Sequence, residues 1–151
     1  MFKTTIRNID PFRDITSFGS LVFYGLLLFF TLSLQEFKLF YVLLFGLLVT
    51  FAVIIGIRLV YFKPRPSKQA YKNIIEKIDA SSFPSLHAAR VMFLALVGIF
   101  AYKTIYTTIF LLTLTIIILY SRTHLKKHDW IDLGAGAFLG LLTYWLATLI
   151  F

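Results

Sequence analysis

The hydrophobic residues of this chain are gathered into five long blocks separated by shorter polar stretches. Four blocks contain no Asp, Glu, Lys or Arg, and the remaining one contains Arg90 alone. The blocks cover residues 15–35, 39–57, 85–102, 104–121 and 133–151. At about 18 to 21 residues each, they are long enough to cross the hydrocarbon core of a bilayer as helices. The pattern therefore predicts five transmembrane helices.

A β-barrel, the other architecture that spans membranes, does not fit this pattern. Barrel strands show about ten residues of alternating apolar and polar character, whereas residues 39–49 are apolar on both alternating faces. Composition agrees, since 59% of the 151 residues are hydrophobic, 15% are charged and the mean hydropathy is +0.84, far from the balance of a water-soluble fold. We therefore predict an all-α integral membrane bundle that forms a single domain, residues 1–151.

Two segments outside the blocks predict amphipathic helices that lie in the membrane interface. Residues 1–16 place apolar side chains at helical spacing before a proline interrupts the pattern, namely Phe2, Ile6 and Ile9 before Pro11. Residues 63–83 open with two prolines, after which Tyr71, Ile74, Ile75 and Ile78 recur at helical spacing beside Lys68, Lys72 and Lys77. This second helix would either anchor the loop on anionic headgroups or act as a lid over a substrate headgroup.

The chain contains no cysteine, which excludes a disulfide framework, an iron–sulfur cluster and a thiolate zinc site. Asp10 and Asp14 stand where a secretory signal peptide has a basic region, and the first apolar block is too long for the hydrophobic core of such a peptide. We therefore expect the first span to remain in the mature protein.

Positive charge is segregated to one side of the predicted bundle. The formal net charge is +8, from fifteen Lys and Arg against seven Asp and Glu. With five spans, Lys38 and Lys103 fall on one side, and the other thirteen cations fall on the side that holds the N-terminus. Nucleic acid is the first partner to consider for a basic protein, but the chain offers no soluble groove-reading element, and phosphate-bearing lipid is the nearer anion. We therefore predict the bilayer and a phosphorylated lipid as partners, and no nucleic acid.

Three polar clusters lie at the ends of predicted spans, all on this basic side. The first joins Arg58 to Arg65-Pro66, and snorkelling to the interface would explain Arg58 taken alone. The second is residues 81–87, in which Ser85 would cap a helix whose first N–H groups favour phosphate. A plain helix cap beside an interfacial histidine is the simpler explanation of this second cluster by itself.

The third cluster joins Arg122 to His128 and Asp132. If the fifth span has begun by then, the four-residue spacing puts His128 and Asp132 on one helix face. The carboxylate would then accept the imidazole N–H and make the other nitrogen a better nucleophile or base. A competing interpretation makes His124, His128 and Asp132 the ligands of a metal ion. Three ligands from adjacent turns of one helix rarely converge on one ion, and the neighbouring lysines would repel it, so we predict no metal and no cofactor.

Together these residues resemble a known family. Arg58-x6-Arg65-Pro66, Pro84-Ser85-Leu86-His87 and Ser121-Arg122-x5-His128-x3-Asp132 are similar in order and internal spacing to the three-part signature of the type 2 phosphatidic acid phosphatase family. This family includes membrane lipid phosphatases, prenyl diphosphate phosphatases and, more distantly, soluble acid phosphatases and vanadium haloperoxidases. By motif, the resemblance covers roughly residues 58–140.

The resemblance implies a multi-pass lipid phosphatase of the cell membrane that acts without metal, through a phosphohistidine. Its substrate would be a lipid phosphomonoester or diphosphate of the phosphatidate, phosphatidylglycerophosphate or prenyl diphosphate type. His128 would be the nucleophile, Asp132 its orienting partner, and His87 the acid that protonates the leaving alkoxide and later activates water. The residues that would hold the phosphate are Arg58, Arg65, Ser85, Leu86 and Arg122.

Two departures from the family pattern bear on function. Arg58 stands where the family usually has Lys, which keeps the charge and adds bidentate capacity toward phosphate oxygens. Leu86 stands where the family usually has Gly, and Pro-Ser-Leu-His is similar to the variant in inositol phosphorylceramide synthases, which transfer a phosphoryl-linked headgroup to an alcohol. A headgroup transferase is therefore the alternative activity. The non-enzymatic alternative is a small channel or a subunit that binds anionic lipid. A pore would require polar residues along the middle of the spans, whereas Arg90 lies near the basic end of its span.

Two further features of the spans bear on packing and orientation. Gly134, Gly136 and Gly140 predict close packing in the last span. Arg90 would either face the pocket of His87 or have an interhelical or snorkelling role. The positive-inside rule places the basic side in the cytoplasm, whereas the resemblance implies the outer face, where bacterial lipid phosphatases of this family commonly act. The charge count leads us to predict a cytoplasmic active side.

Overall fold

The computed structural model describes residues 11–67 and 70–151. Within these residues the chain forms seven α-helices: α1 (Pro11–Ile15), α2 (Leu21–Ser33), α3 (Phe37–Val60), α4 (Ile74–Ala80), α5 (Leu86–Tyr102), α6 (Ile105–His124) and α7 (Trp130–Ile150). A 3₁₀ turn, Thr16–Gly19, connects α1 to α2. Extended backbone in the same residues forms one isolated antiparallel bridge, between Pro64 and Ser81. The prediction of an all-α fold is confirmed.

The predicted count of five spans is not confirmed. Helices α3, α6 and α7 are long and apolar enough to cross a membrane, and α2 joins them if it is counted with Pro11–Gly19 as one span bent by 48°. The bend falls at Ser20, where the backbone is extended and the hydroxyl accepts the Phe23 N–H (3.1 Å) to begin a new helix. Helix α5 is apolar but has 17 residues, because Ser85 caps its start and Lys103 ends it in a left-handed conformation. The described residues therefore give three or four candidate spans.

The interfacial predictions fall partly outside the described residues. The amphipathic pattern of Phe2, Ile6 and Ile9 lies there, as does Lys68. The second predicted helix is present as α4, which begins later than the apolar pattern because Asn73 accepts the Glu76 N–H (2.8 Å) and caps it.

Helix α5 lies at the centre of the bundle and packs most extensively on α7, with α3 and α6 on its other sides. An added Cβ at Gly136 or Gly140 would collide with backbone carbonyl oxygens of α5. The predicted close packing is therefore confirmed at these two glycines, whereas a Cβ at Gly134 would meet open space. This approach sets the first turn of α5 beside that of α7, where the Ser85 N–H donates to the Asp132 carbonyl (3.0 Å).

The loop before α5 lies against the turn between α6 and α7. The Ser82 N–H donates to the Lys63 carbonyl (2.7 Å), which holds the two ends of the loop together. The Ser67 N–H donates to the carbonyl of Lys126 in the α6–α7 turn (2.9 Å). These bonds bring the chain segments that carry the three polar clusters to one end of the bundle.

Candidate active site

The three polar clusters meet around a cavity of about 310 Å³ at the loop end of the bundle. Five cations, two histidines, one carboxylate and one leucine line it: Arg58, Arg65, Arg90, Arg122, Lys127, His87, His128, Asp79 and Leu86. Six of the eight predicted site residues are in this lining. The other two, Ser85 and Asp132, are fully buried beside it.

His128 lies in the turn between α6 and α7, with 3% of its surface exposed. Its Nδ1 is 2.9 Å from the carbonyl oxygen of Ser82. Because a carbonyl only accepts hydrogen bonds, Nδ1 carries the proton of the neutral ring and Nε2 keeps its lone pair. Burial, reinforced by the positive charges of Arg122, Arg65 and Arg58, lowers the pKa of His128 to about 3. The ring is therefore neutral at physiological pH, the form that a nucleophile requires.

Asp132 is not hydrogen-bonded to His128 in the way that the sequence predicts. Its Oδ2 lies 3.7 Å from Nδ1 of the ring, because α7 begins only at Trp130 and His128 precedes the helix. Asp132 instead forms a capping box with Asp129, in which each carboxylate accepts the backbone N–H of the other residue (3.0 and 3.2 Å). The carboxylate remains near enough to stabilise positive charge on the imidazole, while the Ser82 carbonyl orients the ring.

Lys63 is a site residue that sequence reasoning missed. Its ammonium group donates to the carboxylates of Asp129 (2.5 Å) and Asp132 (2.7 Å). Burial lowers the pKa of Lys63, but these two bonds outweigh burial and the net shift is upward. Burial likewise raises the pKa of Asp129, and the bond from Lys63 reverses that shift. The Asp-x-x-Asp pattern at 129–132 signals a helix cap, but no local pattern identifies the cation that reaches it.

Arg58 points into the bundle instead of snorkelling to the interface, since it is only 8% exposed. Its Nη1 donates to the Ile78 carbonyl (3.2 Å) and its Nη2 to the Pro84 carbonyl (2.9 Å). These bonds hold both ends of the segment that leads from α4 into α5. Arg58 therefore lines the cavity and also fixes the backbone beside it.

Arg65 and Arg122 reach the cavity from opposite segments of the chain. Arg65 donates through Nη2 to the Asp79 carbonyl, and the carboxylate of Asp79 lies 3.9 Å away. Arg122, in the last turn of α6, is 8% exposed and donates through Nη1 to the hydroxyl of Thr16 (3.2 Å). Both guanidinium groups are thus held in place beside His128, where an anion would enter.

The first turn of α5 supplies the other side of the cavity. Ser85 acts as a helix cap, with its hydroxyl accepting the Ala88 N–H (3.4 Å), so it orders the turn instead of facing the cavity. Leu86 and His87 follow it and line the cavity. The positive end of the α5 dipole is therefore directed toward this space.

A family model described as the PAP2 superfamily matches residues 39–151. The chain belongs to this superfamily. The crystal structure of LpxE from Aquifex aeolicus superposes with a TM-score of 0.71 over 91% of this chain and 82% of that chain, at 18% sequence identity. This second match shows a common fold. No curated protein sequence matches the chain significantly. Superfamily membership confirms the resemblance drawn from the three motifs. Together with the candidate membrane spans, it indicates a membrane phosphatase that acts on lipid phosphoesters.

Residues that precede the matched PAP2 region also contribute to the site. The hydroxyl of Thr16 accepts the bond from Arg122. Gly19 lies against the ring of His87, where an added Cβ would be 2.8 Å from Cδ2. Sequence reasoning assigned residues 1–16 to the interface and 15–35 to a straight span, and so missed both contacts. Glycine permits close approach, but the same block also contains Gly25, which has no neighbour within 4 Å of an added Cβ, so the sequence alone does not single out Gly19.

The three residues considered as metal ligands do not come together in this PAP2 chain. His124 ends α6 and packs on Phe12 and Tyr120, with ring centroids 4.4 and 6.5 Å away. It is absent from the cavity lining, whereas His128 faces the cavity. Within residues 11–67 and 70–151, no group of three or more His, Asp or Glu side chains is arranged to hold a metal ion.

Proposed function

We propose that this PAP2 chain hydrolyses a phosphorylated membrane lipid through a phosphohistidine formed at His128. The observation that carries the proposal is the Nδ1 contact of His128 with the Ser82 carbonyl, which leaves the Nε2 lone pair available. The arginines of the cavity surround this ring and match the charge of a phosphate group. A neutral nucleophile among fixed cations is the combination that phosphoryl transfer needs.

In the first step, Nε2 of His128 attacks phosphorus, a P–N bond forms, and the bond from phosphorus to the lipid oxygen breaks. Arg58, Arg65 and Arg122 stabilise the charge on the non-bridging oxygens. His87 gives its proton to the departing oxygen, and the lipid alcohol leaves.

In the second step, His87 takes a proton from water, which attacks the phosphorus of the phosphohistidine. The P–N bond breaks, and inorganic phosphate leaves with the original ring restored. Asp132 supports both steps, because its carboxylate lies 3.7 Å from Nδ1 and stabilises the positive charge that the ring carries while phosphorylated. Protein cations supply the positive charge throughout, so the proposed reaction needs no metal.

The proposal is tested by phosphate release from a panel of phosphatidate, phosphatidylglycerophosphate, prenyl diphosphate and lipid A. His128→Ala should abolish both turnover and an acid-labile phosphoenzyme. The matched control is His124→Ala, since that histidine packs on Phe12 outside the cavity and its loss should leave turnover in place. Chelator should have no effect. Loss of activity in chelator that a divalent ion restores, or turnover that survives in His128→Ala, would refute the proposal.

A headgroup transferase is the second candidate, and Leu86 favours it. This leucine lines the cavity beside His87, so an apolar residue stands near the position where the acceptor of the second step must approach. Supplying a lipid alcohol during turnover distinguishes the two activities. A phosphatase releases inorganic phosphate at an unchanged rate, whereas a transferase forms the new phosphodiester or phosphomonoester of the added alcohol.

A further inference from the structure

We propose that Arg90 binds the inner phosphate of a lipid diphosphate, so that the site prefers diphosphate over monophosphate substrates. The inference rests on the phosphatase activity proposed above, and it assigns a substrate class to the same cavity. Arg90 lies outside the three motifs, and its position in the sequence is compatible with a pocket, an interhelical or a snorkelling role.

Arg90 is buried without a charged partner. It is 4% exposed and lines the cavity. Its Nε donates to the Leu86 carbonyl of its own helix (3.3 Å), and its guanidinium lies 5.9 Å from the centroid of the Phe51 ring. Its Nη1 has no hydrogen-bond partner, and no carboxylate of the described residues forms an ion pair with it. A buried guanidinium is costly unless an anion compensates its charge, so a bound anion is the partner that this side chain lacks.

The position of Arg90 along α5 says which part of a substrate it meets. The helix runs from the cavity into the bundle, and Arg90 follows His87 by three residues, which puts both on one face and Arg90 about 4.5 Å deeper. In the proposed reaction His87 faces the oxygen that departs from the attacked phosphorus. The lipid tail must extend from that oxygen toward the membrane interior. A second phosphate on the departing side would therefore lie beside Arg90.

The charge of the cavity also exceeds what a monophosphate needs. Five cationic side chains line it against the single carboxylate of Asp79, which is exposed and already ion-paired with Arg65. A phosphomonoester carries roughly −2 and a lipid diphosphate roughly −3, because the inner phosphate adds one ionised oxygen. With the three motif arginines on the outer phosphate, Lys127 and Arg90 remain. Lys127 lies in the turn between α6 and α7, whereas Arg90 lies on α5 with His87, so Arg90 is the cation placed for the inner phosphate.

The chemistry of the first step is then as follows. Nε2 of His128 attacks the outer phosphorus, and the bond between that phosphorus and the bridging oxygen breaks. The bridging oxygen stays on the inner phosphate, and a lipid monophosphate leaves. Its negative charge develops next to Arg90, so this arginine stabilises the leaving group in the transition state. A monophosphate substrate has no group at this place and gains nothing from Arg90.

The test compares a prenyl monophosphate with the diphosphate of the same prenyl alcohol in the same detergent. Wild-type protein should have the higher kcat/KM on the diphosphate. Arg90→Gln should reduce the diphosphate-to-monophosphate ratio of kcat/KM by about 10- to 100-fold, mainly through the diphosphate, and Arg90→Lys should restore part of the ratio. Arg13→Gln removes the same charge from an exposed position and should leave the ratio unchanged. Because both substrates are measured on one preparation, the ratio is independent of the fraction of folded protein.

Two results would overturn the assignment of Arg90. One is a wild-type preference for the monophosphate, and the other is an equal loss of kcat/KM on both substrates in Arg90→Gln, which would make the arginine structural. Release of phosphate from phosphatidate together with either result would leave the phosphatase proposal standing. No phosphate release by wild-type protein from any lipid of the panel would overturn both proposals.

Discussion

Gly19 lies against the ring of His87, and a methyl group at this position should impair catalysis more than folding. The Cβ of Gly19→Ala would be 2.8 Å from Cδ2 of His87 and 2.9 Å from Cγ2 of Val91. No glycine in the described residues has a positive φ, so alanine fits the backbone and the perturbation is purely steric. Both neighbours belong to α5, which packs against the rest of the bundle and cannot easily retreat.

The expected size of the effect follows from these distances. Carbon atoms in ordinary contact are about 3.5 to 4.0 Å apart, so the ring of His87 must move by about 0.7 Å or more to relieve the clash. A misplacement of about 1 Å at a reacting group can cost roughly 100-fold in rate. We therefore expect kcat of Gly19→Ala to fall by about 10- to 100-fold.

The assay is single-turnover phosphate release, with the melting temperature of the same preparation measured in detergent. Gly25→Ala is the matched control, because a Cβ at that position meets nothing within 4 Å; it should keep both kcat and melting temperature. A Gly19→Ala protein that melts normally and keeps wild-type kcat would refute the reasoning, since the position of the His87 ring would then be irrelevant to the rate.

Four further predictions concern the charges of the site and the orientation of the chain in the membrane. Arg65→Ala and Arg122→Ala should each lower kcat by about 10²- to 10³-fold. Near-normal phosphate release by both variants would show that these arginines only attract anions and do not act in catalysis. Arg58→Lys keeps the charge but should lower the melting temperature, because one ammonium group cannot span the two carbonyls that Arg58 joins. Stability should fall as the pH drops from about 6.5 toward 4, because unfolded His128 takes up a proton near its ordinary pKa while the folded ring resists protonation down to about 3. That slope of melting temperature against pH should flatten in His128→Asn, and an unchanged slope would contradict a buried neutral ring. The charge count predicts a cytoplasmic active side. The cysteine of Lys126→Cys, at an exposed position in a chain with no other cysteine, should therefore not react with an impermeant thiol reagent in intact cells. Labelling from outside would show the opposite orientation.

The sequence predicts which residues meet, because loops on the same side of a helical bundle are neighbours. Arg58, His87 and His128 are tens of residues apart, yet each lies near the end of an apolar block on the same side, and all three line one cavity. Local cap chemistry was equally readable, since Ser85 caps α5 as its position before an apolar run predicts. These features depend on short-range pattern and on the order of spans.

The hydrogen bonds inside the site could not be predicted in the same way. His128 bonds to Ser82, and Lys63 reaches Asp132, across 46 and 69 residues. The predicted pairing of His128 with Asp132 required the helix to begin two residues earlier than it does. Because Asp129 caps α7, His128 precedes the helix. The Ser82 carbonyl therefore orients the imidazole in place of Asp132. The bend at the start of α2 arises similarly from a serine cap inside an apolar block, where block length alone indicates a continuous span.

Lys63 explains how acidic and basic groups coexist beside one histidine. Asp129 and Asp132 alone would favour protonation of His128 and remove its lone pair. Lys63 bonds to both carboxylates, so their charge is largely compensated locally, and the cations of the cavity dominate at the ring. Asp79, which is ion-paired with Arg65, is the one carboxylate in the described lining of the cavity, so positive charge exceeds negative charge there. Because Lys63 compensates the two carboxylates, the cations of the cavity both keep His128 unprotonated and attract a multiply charged phosphate.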